Sequence, residues 1–448
     1  MELAIKIFQF ILSISILVIL HELGHFLPAK WFKTKVEKFY LFFDPWFSVV
    51  KKKIGETEYG IGWLPFGGYV KIAGMVDESM DTEQLKQPAQ PWEFRAKPAW
   101  QRLIIMMGGV TVNFFLAWII YGCLSFFNGE TTFDTAKVDA PMNYTSVAKG
   151  MGFQDGDKIL KVDGKTQNNL DKLALDVLLS DEITVLRNGK EVTFSTNDEG
   201  KAMAFRDENP KAFLTPRFPA IIDSIYNPKT AQAGLKLGDQ IVSVDGKKIS
   251  YYDEFQTTVR NSAGKDIKVD VMRGGAIQPL VLSVSKEGTL GLASYKQLQK
   301  FYETKHFTFG QSIGRGFTRS IESLTYQVKQ FKLIFNKKVQ GYKKVGGPLA
   351  IIKNMPVDKA KDGSVSIDWT AFWSFTAMFS VWLAFLNLIP IPGLDGGHVI
   401  FTLYEMIVGK PVPQKVLENA QMVGVIFLLG LMLLIFGADI FKIITNKF

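Results

Sequence analysis

Four stretches of the chain run without charge, or nearly so, for about the length a helix needs to cross a bilayer. They are residues 1–29, 103–129, 369–394 and 419–441. Crossing about 30 Å of hydrocarbon takes roughly 20 helical residues. Within the first, residues 7–29 carry a single charge, Glu22. That run resembles a secretory leader in its apolar centre. It has no basic start beyond Lys6 and no small-x-small cleavage site, so it is expected to be retained. The pattern predicts a polytopic α-helical membrane protein with four transmembrane helices.

Elsewhere the period shortens. Residues 36–43, 47–53, 57–63 and 69–73 are rich in aromatic and β-branched side chains, broken by Asp44-Pro45, Gly55 and Gly67-Gly68. They read as short strands, making residues 30–102 a β-rich, membrane-associated region. Two readings stay open for it: a segment that dips into the bilayer beside protein, or a small soluble subdomain. The edge of such a sheet can pair with an extended peptide and present carbonyls that a helix hides.

A repeat follows. Residues 152–165 (GFQDGDKILKVDGK) align with residues 234–247 (GLKLGDQIVSVDGK) at an offset of 82, with eight of fourteen positions identical. Each copy continues into a β-rich arm with a turn, Arg187-Asn-Gly189 or Arg273-Gly-Gly275. Two tandem β-rich modules are expected, at residues 130–215 and 216–300. Residues 301–368 should supply amphipathic connector helices. There Phe309, Ile313, Phe317, Ile321, Leu324, Val328, Phe331 and Phe335 keep helical spacing, with Arg315, Lys329 and Lys332 between them. That stripe should lie on the membrane or against the module pair. Residues 395–418 read as a loop.

Composition agrees with a membrane protein that has soluble parts: 47% hydrophobic, 36 Phe and 21% charged. The net charge of +9 shows no nucleic-acid signature. Lys30, Lys33, Lys35, Lys38, Lys51 to Lys53, Arg95, Lys97 and Arg102 crowd the segment between the first two spans. Basic loops stay inside, so residues 30–102 and 395–418 are expected on the cytoplasmic side and the module pair outside. The single cysteine, Cys123, excludes an intramolecular disulfide.

The candidate chemistry lies inside the first span, in His21-Glu22-Leu-Gly-His25. Residues four apart on a helix share a face, so both imidazoles can hold one divalent ion with Glu22 beside them as a base. Read as ordinary helix histidines, these would be three costly polar groups in an apolar run with no use. A third ligand is sought near the end of the third span, in Asn387-Leu-Ile-Pro390-Ile-Pro392-Gly-Leu-Asp395-Gly-Gly-His398. Asp395 is favoured, since a carboxylate ending an uncharged run is expensive unless it is paired or metal-bound. His398 is the competitor, read otherwise as a supporting or interfacial residue.

Taken together, His21-Glu22-x-x-His25, Leu394-Asp395-Gly-Gly397, Pro65-Phe-Gly-Gly-Tyr-Val-Lys71, Phe94-Arg-Ala-Lys-Pro-Ala-Trp-Gln-Arg102 and Asn387-x-x-Pro-x-Pro392 resemble the site-2 protease family of zinc intramembrane metalloproteases. Within that family the chain resembles the bacterial regulator-of-sigma-E protease type, with tandem PDZ domains, and the repeated Gly-Asp-x-Ile run resembles PDZ domains. The resemblance implies that His21, His25 and Asp395 bind Zn2+, that Glu22 is the catalytic base, and that Asn387, Pro390 and Pro392 position substrate. It implies single-span membrane substrates of the anti-sigma factor type, with remnant signal peptides as a further class. It also implies peptide carboxyl termini at extracytoplasmic PDZ-like modules, and residence among the lipids of the bacterial inner membrane. Two segments depart from the family pattern: Phe42-Phe-Asp-Pro45, and Gly108-Gly-Val110, although Asn113 stands where the family has an asparagine. The rival readings are a catalytically inactive PDZ scaffold and a metal transporter.

Overall fold

The computed structural model describes residues 1–75, 87–133, 142–166, 170–206, 213–294, 302–360 and 364–445. They form two compact units. The first comprises residues 1–129, 306–329 and 344–448, and the second residues 130–305 and 330–343. The expected boundary at 300/301 lies outside the described residues.

In the first unit, four helices are long and apolar enough to cross a membrane: Glu2–Trp31, Ala99–Phe127, Trp369–Leu388 and Gln414–Lys442. Its elements in chain order are α1 (Glu2–Trp31), β1 (Val36–Ile54), β2 (Thr57–Ile72), α2 (Ala99–Phe127), α3 (Phe309–Phe335, of which residues up to 329 belong to this unit), α4 (Pro348–Lys353), α5 (Trp369–Leu388), α6 (Asp395–Val408) and α7 (Gln414–Ile444). Along α7, Val423, Ile426, Phe427, Leu433 and Leu434 are all exposed. A helix that is apolar all round and left uncovered is at home only in lipid.

The third span ends at Leu388 rather than 394. Ile389 turns extended, with φ −63° and ψ 136°. Pro390 and Pro392 lack amide donors and their rings oppose a continuing helix. Residues 395–418, expected as a loop, begin instead with α6. Its acidic first residue suits the positive helix end, and Gly409 stops it with φ 74°. Asp-Gly-Gly is turn chemistry in isolation. Here the glycines let α6 fold back on the linker: a Cβ on Gly396 would lie 2.3 Å from the Ile389 oxygen, and one on Gly397 2.8 Å from the Ile391 oxygen.

Small residues set the helix contacts. A Cβ on Gly108 would lie 1.9 Å from the Gly24 oxygen, so α1 and α2 touch backbone to backbone there. The amphipathic α3 also finds a partner that its sequence did not name. Through residue 329 it packs on α2, where Trp118 Nε1 donates to the Ile313 oxygen at 2.7 Å and Phe114 and Trp118 meet Phe317 edge-on.

The four expected strands appear as two long bent ones. Lys38 to Leu41 face Lys71 to Gly68 on one side and Glu58 to Ile61 on the other, while Ser48 to Ile54 face Gly62 to Thr57. Positive φ at Phe42 (67°) and Trp46 (72°) marks the bend. The sheet is anchored by a core of Ala29, Val36, Ile72, Phe94, Ile105, Met106 and Val399, which joins it to α1, α2 and α6.

The second unit holds the repeat. Two four-stranded sheets share one connectivity. The first is built from Lys158–Val162, Lys165–Thr166, Glu182–Arg187 and Lys190–Ser195, the second from Gln240–Val244, Lys247–Lys248, Asp266–Arg273 and Ala276–Ser283. Their helices, Leu170–Leu179 and Tyr252–Asn261, stand at the sequence offset of 82. Each copy has its own apolar core, with Phe153 and Phe213 buried in the first and Tyr252 and Phe255 in the second. The same ion pair recurs: Arg187 clasps Asp157 with two hydrogen bonds, and Arg273 clasps Asp239.

Candidate metal centre

His21 and His25 sit one turn apart on α1, both buried, with ring centroids 4.8 Å apart and planes at 81°. His25 Nδ1 lies 2.8 Å from the Ile105 carbonyl oxygen. A carbonyl only accepts, so that nitrogen carries the hydrogen, and Nε2 of the neutral ring is a bare lone pair. His21 Nδ1 faces the Asn113 amide at 3.0 Å.

The two Nε2 atoms are 3.3 Å apart. Asp395 Oδ2 completes a triangle with them, 3.3 Å from His21 and 3.2 Å from His25. That oxygen is buried and has no hydrogen-bond partner. Three electron-rich atoms at such spacing, shut away from water, repel unless a cation sits among them. A regular tetrahedron with that edge has its centre about 2.0 Å from each corner, the usual distance of zinc from nitrogen and oxygen ligands. The donor set and the spacing therefore fit zinc with one position left open. Among the described residues, these three form the one such cluster of potential ligands.

Each corner has a local cause. The helical period aligns the imidazoles. The proline-broken linker at 389–394 lets α6 begin with Asp395, so the carboxylate lies at a positive helix end. Gly109 clears the space behind the rings, since a Cβ there would lie 2.4 Å from His25 Nε2 and 2.5 Å from His21 Cε1. Gly109 had no site role in the sequence reading, and Asn113 stood there only as the match to the family's asparagine. The signal was present: a lone amide and paired glycines inside an apolar span.

Glu22 is electrostatically coupled to all three corners, and its carboxylate accepts a hydrogen bond from the Val70 backbone N–H. Strand β2 runs alongside, so that a Cβ on Gly68 would stand 3.6 Å from Glu22 Cγ. Asn387, in the last turn of α5, brings its Nδ2 to 3.1 Å from His21 Nε2. Pro390 is exposed, and Pro392 packs against α7 so tightly that Gly424 there cannot bear a side chain. His398 stands outside the triangle. It lines a separate cavity of about 440 Å³ with Phe94, Arg102, Thr402 and Glu405.

The chain is similar along most of its length to known proteins. The model described as Peptidase family M50 matches residues 9–431. A Clostridium perfringens protein named as a zinc metalloprotease is 28% identical over 435 residues, covering 96% of this chain and 97% of its own. The regulator of sigma-E protease RseP of Escherichia coli K12 is 28% identical over 448 residues, covering 95% and 96%. The regulator of sigma E protease of Haemophilus influenzae is 26% identical over 448 residues, covering 94% and 96%.

Proposed function

The chain belongs to peptidase family M50, and from that premise we propose that it is a zinc-dependent endopeptidase cutting the transmembrane segments of single-span proteins. The family makes it a membrane metalloprotease of regulated intramembrane proteolysis. The site-2 details are our reading. One observation carries them: three buried donor atoms form a zinc-sized triangle, with a glutamate beside it, on helices suited to lipid.

In this reading His21, His25 and Asp395 hold the ion. When bound, zinc acidifies a water and polarises a carbonyl. Glu22 takes the proton from the attacking water and returns it to the leaving amine. The Val70 N–H keeps the Glu22 carboxylate aimed. Asn387 directs its amide at the substrate carbonyl, while Pro390 and Pro392 hold the linker open for a substrate strand beside β2.

The substrate class follows the family resemblance: single-span proteins of the anti-sigma factor type, and remnant signal peptides. The duplicated modules are read as PDZ-like domains outside a bacterial inner membrane. There they receive newly made carboxyl ends or exclude bulky substrates. Their repeat and the basic segment at 30–102 support this placement.

The test is metal analysis of detergent-purified protein, with cleavage of a single-span substrate whose outer part is long or trimmed. Glu22→Gln should keep zinc and lose about 10²–10⁴-fold in cleavage rate. His21→Ala should lose the metal. Undiminished cleavage by zinc-loaded Glu22→Gln would remove Glu22 from its role. A zinc-bound parent inert toward every such substrate would favour the scaffold reading.

A further inference from the structure

Asn113 is fully buried in α2, two helical turns beyond Ile105. Its backbone oxygen accepts a hydrogen bond from Ser380 Oγ at 2.7 Å, tying α2 to α5 at this level. The side-chain amide meets His21 Nδ1 at 3.0 Å, and its Oδ1 has no partner. An amide presents either NH2 or oxygen to a neighbour, depending on a half-turn about its last bond. With NH2 turned to the ring, Oδ1 is left without a donor, and the state of the ring decides between the two orientations.

With NH2 against Nδ1, the hydrogen of a neutral His21 ring must sit on Nε2. It would then point into the triangle, where a metal ligand needs a lone pair. With oxygen against Nδ1, the hydrogen sits on Nδ1 and Nε2 is bare. His25 already has that state, held by the Ile105 carbonyl. We propose that Asn113 is the positioning residue of the metal centre, its Oδ1 accepting the Nδ1 hydrogen of His21 and aiming the Nε2 lone pair at the ion. This deepens the zinc reading and rests on it. Helix α2 then supplies both outer acceptors, one from its backbone and one from a side chain. Such supporting contacts orient the ring and raise its basicity. They also account for an amide buried in a span where leucine would cost less.

The test is zinc affinity of the full chain in detergent, by chelator competition, with the absorption spectrum of the cobalt-substituted protein. Asn113→Leu removes the acceptor and should weaken zinc binding about 10–100-fold and alter the cobalt bands. Asn113→Asp restores an acceptor and should recover affinity to within a few-fold. Ser380→Ala loosens only the backbone tie and should bind zinc like the parent. Equal affinity in parent and folded Asn113→Leu overturns the proposal alone, as does an Asn113→Asp that binds as weakly as leucine. A parent that binds no zinc overturns the metal reading and this one with it. Should Asn113→Leu fail to fold, the ¹⁵N spectrum of the zinc-loaded parent decides. A His21 Nδ1 hydrogen shifted downfield by a hydrogen bond, as that of His25 is, supports the assignment, and one at the unbonded position sinks it.

Discussion

Asp395 in the first unit and Asp239 in the second are both carboxylates withdrawn from water, and they are satisfied in opposite ways. Asp239 is 1% exposed and receives both arms of Arg273 together with the Lys236 backbone N–H. Asp157 repeats that arrangement with Arg187 and the Gln154 backbone N–H. Asp395 faces two imidazole nitrogens, and its inner oxygen has no donor. Asp439, deep in the same bundle as Asp395, instead accepts from the amides of Gly347, Leu349 and Ala350 and caps α4. Burial alone therefore does not mark function. A carboxylate whose acceptors are all filled holds the fold together, whereas one left open against other lone pairs awaits a cation.

The largest effect should come from Asp395→Asn. Zinc affinity should drop by more than about 100-fold. The metal-free variant should also unfold at a higher temperature than the metal-free parent, because the repulsion among donors is relieved. Metal content and thermal unfolding of both forms check this, and a less stable metal-free variant would erase the contrast with Asp239.

Next is Asp239→Ala, which takes away the acceptor that both arms of Arg273 share and the cap on the Lys236 amide, and should lower the stability of the second module without touching zinc binding. Burial raises the Asp239 pKa, but the Arg273 guanidinium and the Lys236 amide outweigh it and hold the group below the usual carboxylate value of 3.8. The stabilisation is then complete above about pH 4 and lost as pH falls through the lowered folded value. Limited proteolysis of the full chain from pH 6 downward should show this acid limb in the parent, and should show it reduced in the alanine variant.

The smallest effect separates the two module copies. Asn227 caps a short helix, its Oδ1 accepting from the Lys229 amide at 3.0 Å, whereas Thr145, at the same place in the first copy, makes no such side-chain bond. Asn227→Ala should cost about 1 kcal/mol and Thr145→Ala much less, read as differences in denaturant midpoint. Equal costs would mean that the cap contributes nothing specific.

Much of the architecture could be read in advance, because it follows from local periodicity. The apolar runs forecast the spans, and the repeated Gly-Asp-x-Ile segments forecast two β-rich modules, though not the strand order their sheets share. The four strand segments at 36–73 were legible, but not that they would run on as two bent strands. Helix α6 was missed, because its Asp-Gly-Gly start reads as a turn until the chain folding back on residues 388–392 is known. The pairing of α3 with α2 was also hidden. An amphipathic stripe says that something covers it, and leaves the partner unnamed.

For the site, the residues themselves determined which atoms could ligate and how two of them align, since the period of a helix puts His21 above His25. The remaining corner lies 370 positions from His25 along the chain. Which side chain would reach it, Asp395 or His398, depended on where a proline-broken linker lets a helix begin. The clearance supplied by Gly109 and the amide of Asn113 behind His21 were likewise matters of packing. Distances between remote segments are set by the sum of many contacts across the bundle, and no local stretch of sequence contains that sum.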